Sequence, residues 1–433
     1  MSPTARYGNR DVAKTSHSPA AARVSPTAVR PPSYDAGVLA SPGARKALGG
    51  FFVSGFLLAY LGAIIPSWGH HLLSDYWMVG LYFVALVAGL VLAVRMASAL
   101  FQRWGIGKTL AISCGAASAA LMLLAFFSPP FAACWRLPGI VILGCAAGVL
   151  HTAIFQAISP VYRHDPAATV NLGGALFGLG CFTVALIISQ MFYFYTPSAI
   201  QFWLALVPGF CGIGYAKAQF VPCSVTPTHA KHSLWQELQS PSAVLFSLVL
   251  FFQFGNEWAI AGWLPLYLSQ RLGVSPSTSI LILAMYWLAL LVGRIAAQWI
   301  LPRMRHSRLL MGSVLASVFA CVILIATDNL FGAVSGVLLL GGAFAPIYPL
   351  VVEKIGHRFP DYHPGVYNGI FSFAIAGGLL APCALGYLAW QFGVRAVMAL
   401  PLAGSLIVFV LSGLTWFEAR LHALAARQTP PQD

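Results

Sequence analysis

The chain has 433 residues, of which 59% are hydrophobic and only 8% are Asp, Glu, Lys or Arg, with a mean hydropathy of +0.79. Soluble domains carry about a quarter of their residues as those four types, so this composition excludes a water-soluble surface and points to lipid as the solvent. The net charge of +13 does not indicate nucleic acid, because the basic residues are spread thinly between apolar stretches and form no basic domain.

Residues 1–46 are rich in Pro, Ser, Ala and Arg, lack apolar periodicity and are expected to form a disordered cytoplasmic tail. The first apolar run begins near Ala47, too late for a cleavable signal peptide. Twelve runs of roughly 19–28 residues follow, near 47–68, 77–100, 107–127, 136–158, 168–192, 199–221, 242–268, 277–301, 308–326, 330–352, 364–391 and 395–417. Each is long enough to cross a hydrocarbon core of about 30 Å. Glycine and proline within them do not exclude helix, since neighbouring helices can satisfy the freed backbone groups. The expected fold class is an all-α polytopic membrane protein of twelve transmembrane helices. Its six-helix bundles would be 47–221 and 242–417, joined by a cytoplasmic linker at 222–241 and followed by a cytoplasmic tail at 418–433.

With the amino terminus inside, only Arg136, Arg271 and Arg395 of the 24 Lys and Arg residues fall outside. That satisfies the positive-inside rule and puts both termini in the cytoplasm. The eight cysteines are scattered, mostly within apolar runs, and form no C-x-x-C. They read as small packing residues, with no disulfide or metal site.

The chain repeats itself at an offset of about 197–200 residues. Pro66 answers Pro265, Arg95 answers Arg294, Gly144 answers Gly341, and Asn171 answers Asn368. Each of those asparagines is followed nine residues later by glycine, Gly180 and Gly377. Six helices per half make the repeat parallel. In transporters built from such repeats the substrate site lies between the halves near the bilayer midplane.

On these features residues 47–417 resemble the major facilitator superfamily. GNEWAIAGWLPLYL in the seventh run, VGR in the eighth and the Asn-plus-nine-Gly pattern are similar to the fucose-permease-like sugar:cation symporters. The resemblance implies that the first, fourth, seventh and tenth helices line a central cavity. One departure concerns the loop after the second run. Ser98, Gln102, Arg103, Gly105 and Lys108 occupy the frame of the superfamily's motif, but Gln102 replaces its acid, so the gating salt bridge of that motif lacks a partner.

A carboxylate at the bilayer centre costs about 2.5–3.5 kcal/mol on insertion scales, and of 11 acidic residues only Glu257 lies deep within a run. Gln253, Asn256 and Glu257 are spaced i, i+3, i+4 and are expected to share one face of the seventh helix. Glu257 would bind a proton or Na⁺, or hydrogen-bond a solute; its bland reading is a protonated packing residue. Trp258 and Trp263 could pack against a sugar ring or serve as interface aromatics. His151 in the fourth run is a second proton-carrier candidate, or a satisfied core histidine. Tyr348 is its repeat partner in the tenth run, and Tyr60 is available from the first. Arg95 and Arg294 stand at matching inner helix ends, where they would snorkel to the interface or close an inner gate against helix carboxyl ends or Glu353.

The expected function is secondary active transport of a small polar solute, a sugar being the best guess, by alternating access coupled to H⁺ or Na⁺. The expected partners are a small-molecule substrate and the bilayer of a plasma or bacterial inner membrane; the chain would act as a monomer, without cofactor, metal or nucleic acid. Efflux of amphipathic or cationic compounds is an alternative, as is a solute receptor that no longer transports. No phosphate loop or H-E-x-x-H motif argues for an enzyme.

Overall fold

The computed structural model describes residues 42–72, 75–164, 166–218, 220, 240–300, 303–359 and 364–428. The chain divides into two units, 1–35 and 36–433, and the described residues all belong to the second. The expected tail over residues 1–41, and the linker apart from its last two residues, lie outside them.

Regular structure among the described residues is helical throughout. The first span is Pro42–Ile64. It tightens into a 3-10 turn at Ile65–Trp68, where Pro66 cannot continue the α-helical hydrogen bonding, and closes on Gly69 at φ 86°. One hydrogen-bonded helix, Tyr76–Phe126, holds both the second and third spans. At 1.5 Å per residue its 51 residues would reach about 76 Å, more than twice a bilayer core. Gly105, at φ 72° and ψ 174°, breaks it and turns the chain back. Among the described residues eleven helical segments are long and apolar enough to span; with the long one folded at Gly105 they make twelve crossings.

The fourth to sixth spans are Arg136–His164, Pro166–Met191 and Pro197–Ala216. The seventh, Pro241–Leu272, starts as a capped helix should. Ser240 Oγ accepts from the Ala243 amide, and Pro241 occupies a position whose N–H would be orphaned anyway. The eighth and ninth are Pro276–Ile300 and His306–Ala326. The tenth is interrupted at Pro346, giving Leu330–Phe344 and Ile347–Arg358. The eleventh is Pro364–Phe392, and the twelfth, Ala399–Gln428, follows a 3-10 turn at Val394–Met398 and continues as helix beyond the expected end near 417.

Space around Gly105 is open, so only its left-handed backbone demands glycine. Gly105→Ala is expected to cost about 1–2 kcal/mol through that backbone term alone, measurable as a lower apparent melting temperature in detergent with no loss of yield.

Large apolar side chains are exposed on the third, sixth, ninth and twelfth spans, among them Met122, Phe126, Phe202, Phe210, Phe319 and Val410. The first and seventh spans are nearly enclosed. The peripheral helices thus present the lipid surface, and the central ones meet other helices. Backbones approach closely where the repeat carries glycine. A Cβ on Gly180 would run into the Phe52 carbonyl, and one on Gly377 into the Phe251 carbonyl. Likewise Gly144 lies against the Leu86 carbonyl and Gly341 against the Tyr286 carbonyl. Each pair is displaced by the repeat offset, so both halves make the same two crossings, fifth on first and fourth on second, eleventh on seventh and tenth on eighth. This is small-residue packing of the kind that holds helices together without a hydrophobic driving force.

The two bundles meet along a seam at the membrane face opposite Pro42 and Gln428, here called the far side. Gly62 abuts Ala261 and Gly262, and Gly80 abuts Gly386. Ser189 Oγ donates to the Ser277 carbonyl and Ser277 Oγ to the Ser189 carbonyl, both at 2.9 Å. Tyr76 Oη donates to Gln270 Oε1 at 2.8 Å, and Gln270 Nε2 to the His70 carbonyl at 3.3 Å. The seven described cysteines are free; Cys114, Cys181 and Cys321 are buried, Cys134 is exposed, and Cys181 Sγ donates to the Gly55 carbonyl. No cluster of metal-ligating side chains occurs among the described residues.

Candidate functional site

Glu257 sits 16 residues into the 32-residue seventh span, at mid-depth, with its side chain 8% exposed. Gln253, one turn earlier on the same face, donates from Nε2 to Glu257 Oε1 at 3.0 Å. Across from it, Arg294 of the eighth span places Nη2 3.6 Å from Glu257 Oε2, and its side chain is 13% exposed. That separation makes an ion pair without a hydrogen bond. Nη1 of the same guanidinium donates to the Gly174 carbonyl of the fifth span at 3.2 Å. One cation therefore ties the carboxylate of the second bundle to the backbone of the first.

Arg294 does not run to the near interface, as snorkelling requires, nor does it meet Glu353. The eighth span descends from the far side, and side chains tilt toward a helix's N-terminus. Arg294 is therefore aimed back toward mid-depth, where the lone carboxylate is. Glu353 lies 3.3 Å from His306 Nδ1 at the start of the ninth span. Arg95 is exposed on the second span.

Asn256 also departs from the expected face. Its Nδ2 donates to Ser405 Oγ of the twelfth span at 3.4 Å, and its amide covers Gly404. Residues one apart in a helix are rotated by about 100°, so Asn256 cannot point where Glu257 does. It ties the seventh span to the twelfth. Trp263 is fully buried, stacks on Phe83 at 6.2 Å and donates from Nε1 to the Pro382 carbonyl at 3.0 Å. It is packed into the far-side seam. Trp258 is half-buried beside the pair, edge-on to Phe177 of the first bundle at 6.1 Å and to Trp287 at 6.0 Å.

Tyr348 stands edge-on to Phe254 at 5.3 Å, close enough to Glu257 and Arg294 to feel both charges. His151 is elsewhere, in the first bundle, with Nδ1 3.0 Å from Ser54 Oγ and its ring against Phe51 and Phe155. Tyr60 joins a far-side cluster, edge-on to Trp68. There the buried Arg136 lies over the Trp68 ring at 5.0 Å and donates to Tyr82 Oη and to the Phe127 and Phe131 carbonyls.

Sequence reasoning missed Tyr286 on the eighth span, which lies within the field of both Glu257 and Arg294. The signal was present, since Tyr286, Leu290 and Arg294 recur every fourth residue and share a face. Tyr286 Oη, Gln253 Oε1 and Arg294 Nε are buried without a partner among the described residues. Three buried polar atoms of the pair and its surroundings thus have hydrogen-bonding capacity unused.

His70 is the titratable group of the seam outside the spans. Burial, reinforced by the Arg136 guanidinium, pushes it down to about 4; Asp75 opposes and His71 adds to the effect. A histidine depressed on folding binds protons more readily when unfolded. Its contribution to stability is thus full above the ordinary value of 6.5 and is lost as pH falls from there toward 4. Thermal melts should show that acid loss in the parent protein and a flatter profile over the same interval in His70→Asn.

The described residues thus form a many-helix membrane fold of two repeated bundles, with a buried ion pair inside the second whose arginine also hydrogen-bonds across to the first. Residues 246–431 match the sequence model of the Major Facilitator Superfamily. An uncharacterized MFS-type transporter of Yersinia pestis is 21% identical over 372 residues, covering 82% of this chain and 92% of that protein. An uncharacterized transporter of Sinorhizobium fredii is 22% identical over 355 residues, with coverages of 80% and 90%. Among solved structures, the nucleoside transporter NupG superposes with a TM-score of 0.67 at 11% identity, covering 86% of this chain and 99% of that one. The E. coli fucose:proton symporter FucP superposes with a TM-score of 0.57 at 13% identity, with coverages of 86% and 98%. The family match thus falls on the second bundle, and the likeness of fold extends over most of the chain.

Proposed function

We propose that the protein is a cation-coupled secondary transporter of a small polar solute, working by alternating access, with Glu257 carrying the coupling ion. The observation that carries this reading is the Glu257–Arg294–Gly174 chain. It is a mid-depth carboxylate, held by an arginine that also binds the opposite bundle. Neutralising Glu257 with a proton or Na⁺ weakens its hold on Arg294, and so changes how that arginine joins the two halves. The bonds of the far-side seam correspond to the state closed on the outer face, taking the termini as cytoplasmic. Trp258, Tyr348, Phe177 and Gly174 are partly buried and in this reading would line the approach to the pair from the cytoplasm. NupG and FucP, by their names, carry a nucleoside and fucose with a proton, which makes sugars and nucleosides the first solutes to try.

The test is uptake of a labelled sugar and nucleoside panel into proteoliposomes under an imposed pH or Na⁺ gradient, for the parent protein and Glu257→Gln. Accumulation driven by one gradient, absent in the variant while solute exchange persists, is the expected result. Full coupling in the variant would remove Glu257 from the role and move attention to His151.

A further inference from the structure

The arginine at the site carries information about the solute, given the reading of Glu257 as the coupling group. We propose that the solute is a monoanion, a small hydroxylated carboxylate, which takes Arg294 over from Glu257 as Glu257 takes up a proton.

Arg294 cannot be deprotonated in a protein. Protonating Glu257 therefore leaves a buried guanidinium without its counter-charge, a strongly unfavourable state at mid-membrane. The groups packed around the carboxylate offer no replacement. Gln253 is hydrogen-bonded to it, Cys181 of the fifth span, Tyr286 of the eighth and Tyr348 of the tenth lie within its field, and among these described groups Arg294 is the only charged one. A neutral sugar would leave the arginine equally uncompensated. A carboxylate would not.

The geometry of the guanidinium agrees. Nη1 is used on the Gly174 carbonyl, Nη2 makes only a loose contact with Glu257, and Nε has no partner among the described residues. Nε and Nη2 form the edge that grips a carboxylate through two parallel N–H···O bonds. The unpartnered Tyr286 Oη and Gln253 Oε1 supply a donor and an acceptor for hydroxyl groups beyond that carboxylate. A phosphate ester, with a charge near −2 at neutral pH, would exceed what one arginine balances.

The charge count then closes. The empty site holds Glu257 carboxylate and Arg294 cation; the loaded site holds Glu257 carboxylic acid, Arg294 cation and solute carboxylate. Both are neutral, so one proton enters with one monoanion and no net charge moves. Proton and anion each favour the other's binding, as linkage requires.

The experiment uses three molecules of one skeleton, gluconate, glucose and glucosamine, bound to the purified full-length protein and followed by intrinsic tryptophan fluorescence between pH 5.5 and 8.5. Gluconate should bind the parent protein at low pH and weaken as pH rises, approaching about tenfold per unit, the slope of one linked proton. In Glu257→Gln its binding should be pH-independent. Arg294→Gln should lose at least about 100-fold in gluconate affinity, the scale of an uncompensated buried charge, while Arg294→Lys, which keeps the charge, should retain part of it and guard against misfolding. In proteoliposomes a membrane potential alone should not drive gluconate uptake.

Glucose bound as tightly as gluconate, gluconate affinity untouched in Arg294→Gln, or none of the three bound would each overturn the carboxylate assignment. If glucose is accumulated through Glu257 and gluconate is not, the coupling reading stands and this inference falls. If gluconate needs Arg294 but the pH dependence survives in Glu257→Gln, the carboxylate class stands and it is the proton exchange at Glu257 that falls.

Discussion

Glu257→Gln is expected to destabilise the purified protein at neutral pH more than Arg294→Gln does, and the double substitution to recover most of the loss. Breaking a buried pair from one side costs about 3–5 kcal/mol because a charge is left behind, whereas removing both partners is often near neutral. The asymmetry between the two single changes follows from proton chemistry. A lone Glu257 can shed its charge by binding a proton; a lone Arg294 cannot. Thermal unfolding of the four proteins in detergent, run as a double-mutant cycle, gives the pair term directly. Equal loss in both single variants with no recovery in the double would mean that the 3.6 Å contact is incidental and that each side chain is held by something else.

The second large effect concerns the glycine crossings. Gly180→Ala and Gly377→Ala should each cost about 3 kcal/mol, at the upper end of ordinary overpacking. The added methyl would meet a backbone carbonyl, of Phe52 or Phe251, which cannot rotate away. Leucine at either position should leave no folded protein. Gly115→Ala and Gly214→Ala are the matched controls, since nothing lies within 4 Å of a Cβ at either. Alanine there should be neutral or slightly stabilising, by up to about 1 kcal/mol of helix propensity. Apparent melting temperatures of the four variants separate a packing effect from a general intolerance of glycine replacement.

Much of this was legible before any coordinates. Apolar runs set by bilayer thickness gave helix limits within a few residues in most spans, because length and hydropathy are the same constraint seen twice. Glu257 was conspicuous because so few acids exist, and Gln253 because it stands four residues away. The crossings of Gly180 and Gly377 were visible as a repeat, though their contact partners were not, since a sequence offset names no neighbour. Asn256 is expected on the face of Glu257, but its helix turns it into bundle packing; Trp263, open in the sequence to a sugar ring or an interface, packs in the seam. Arg294 was read as an interface residue because it lies near the end of a run. Its pairing depended on helix direction and on which neighbour lay across from it, and neither is a property of its own segment.

The far-side seam has a consequence for the rate of the cycle. Where Gly62 meets Gly262 and Gly80 meets Gly386, main chain touches main chain with few interlocked side chains between. Parting the glycine contacts opens no knob-shaped holes, the stack of Trp263 on Phe83 being the one large side-chain contact described there, and the hydrogen bonds at Ser189, Ser277 and Gln270 can be exchanged for water one at a time. The barrier to unzipping should therefore be low and finely divided. Turnover would then be governed by how long the central ion pair keeps its charges matched, and the bundles would rock quickly by comparison.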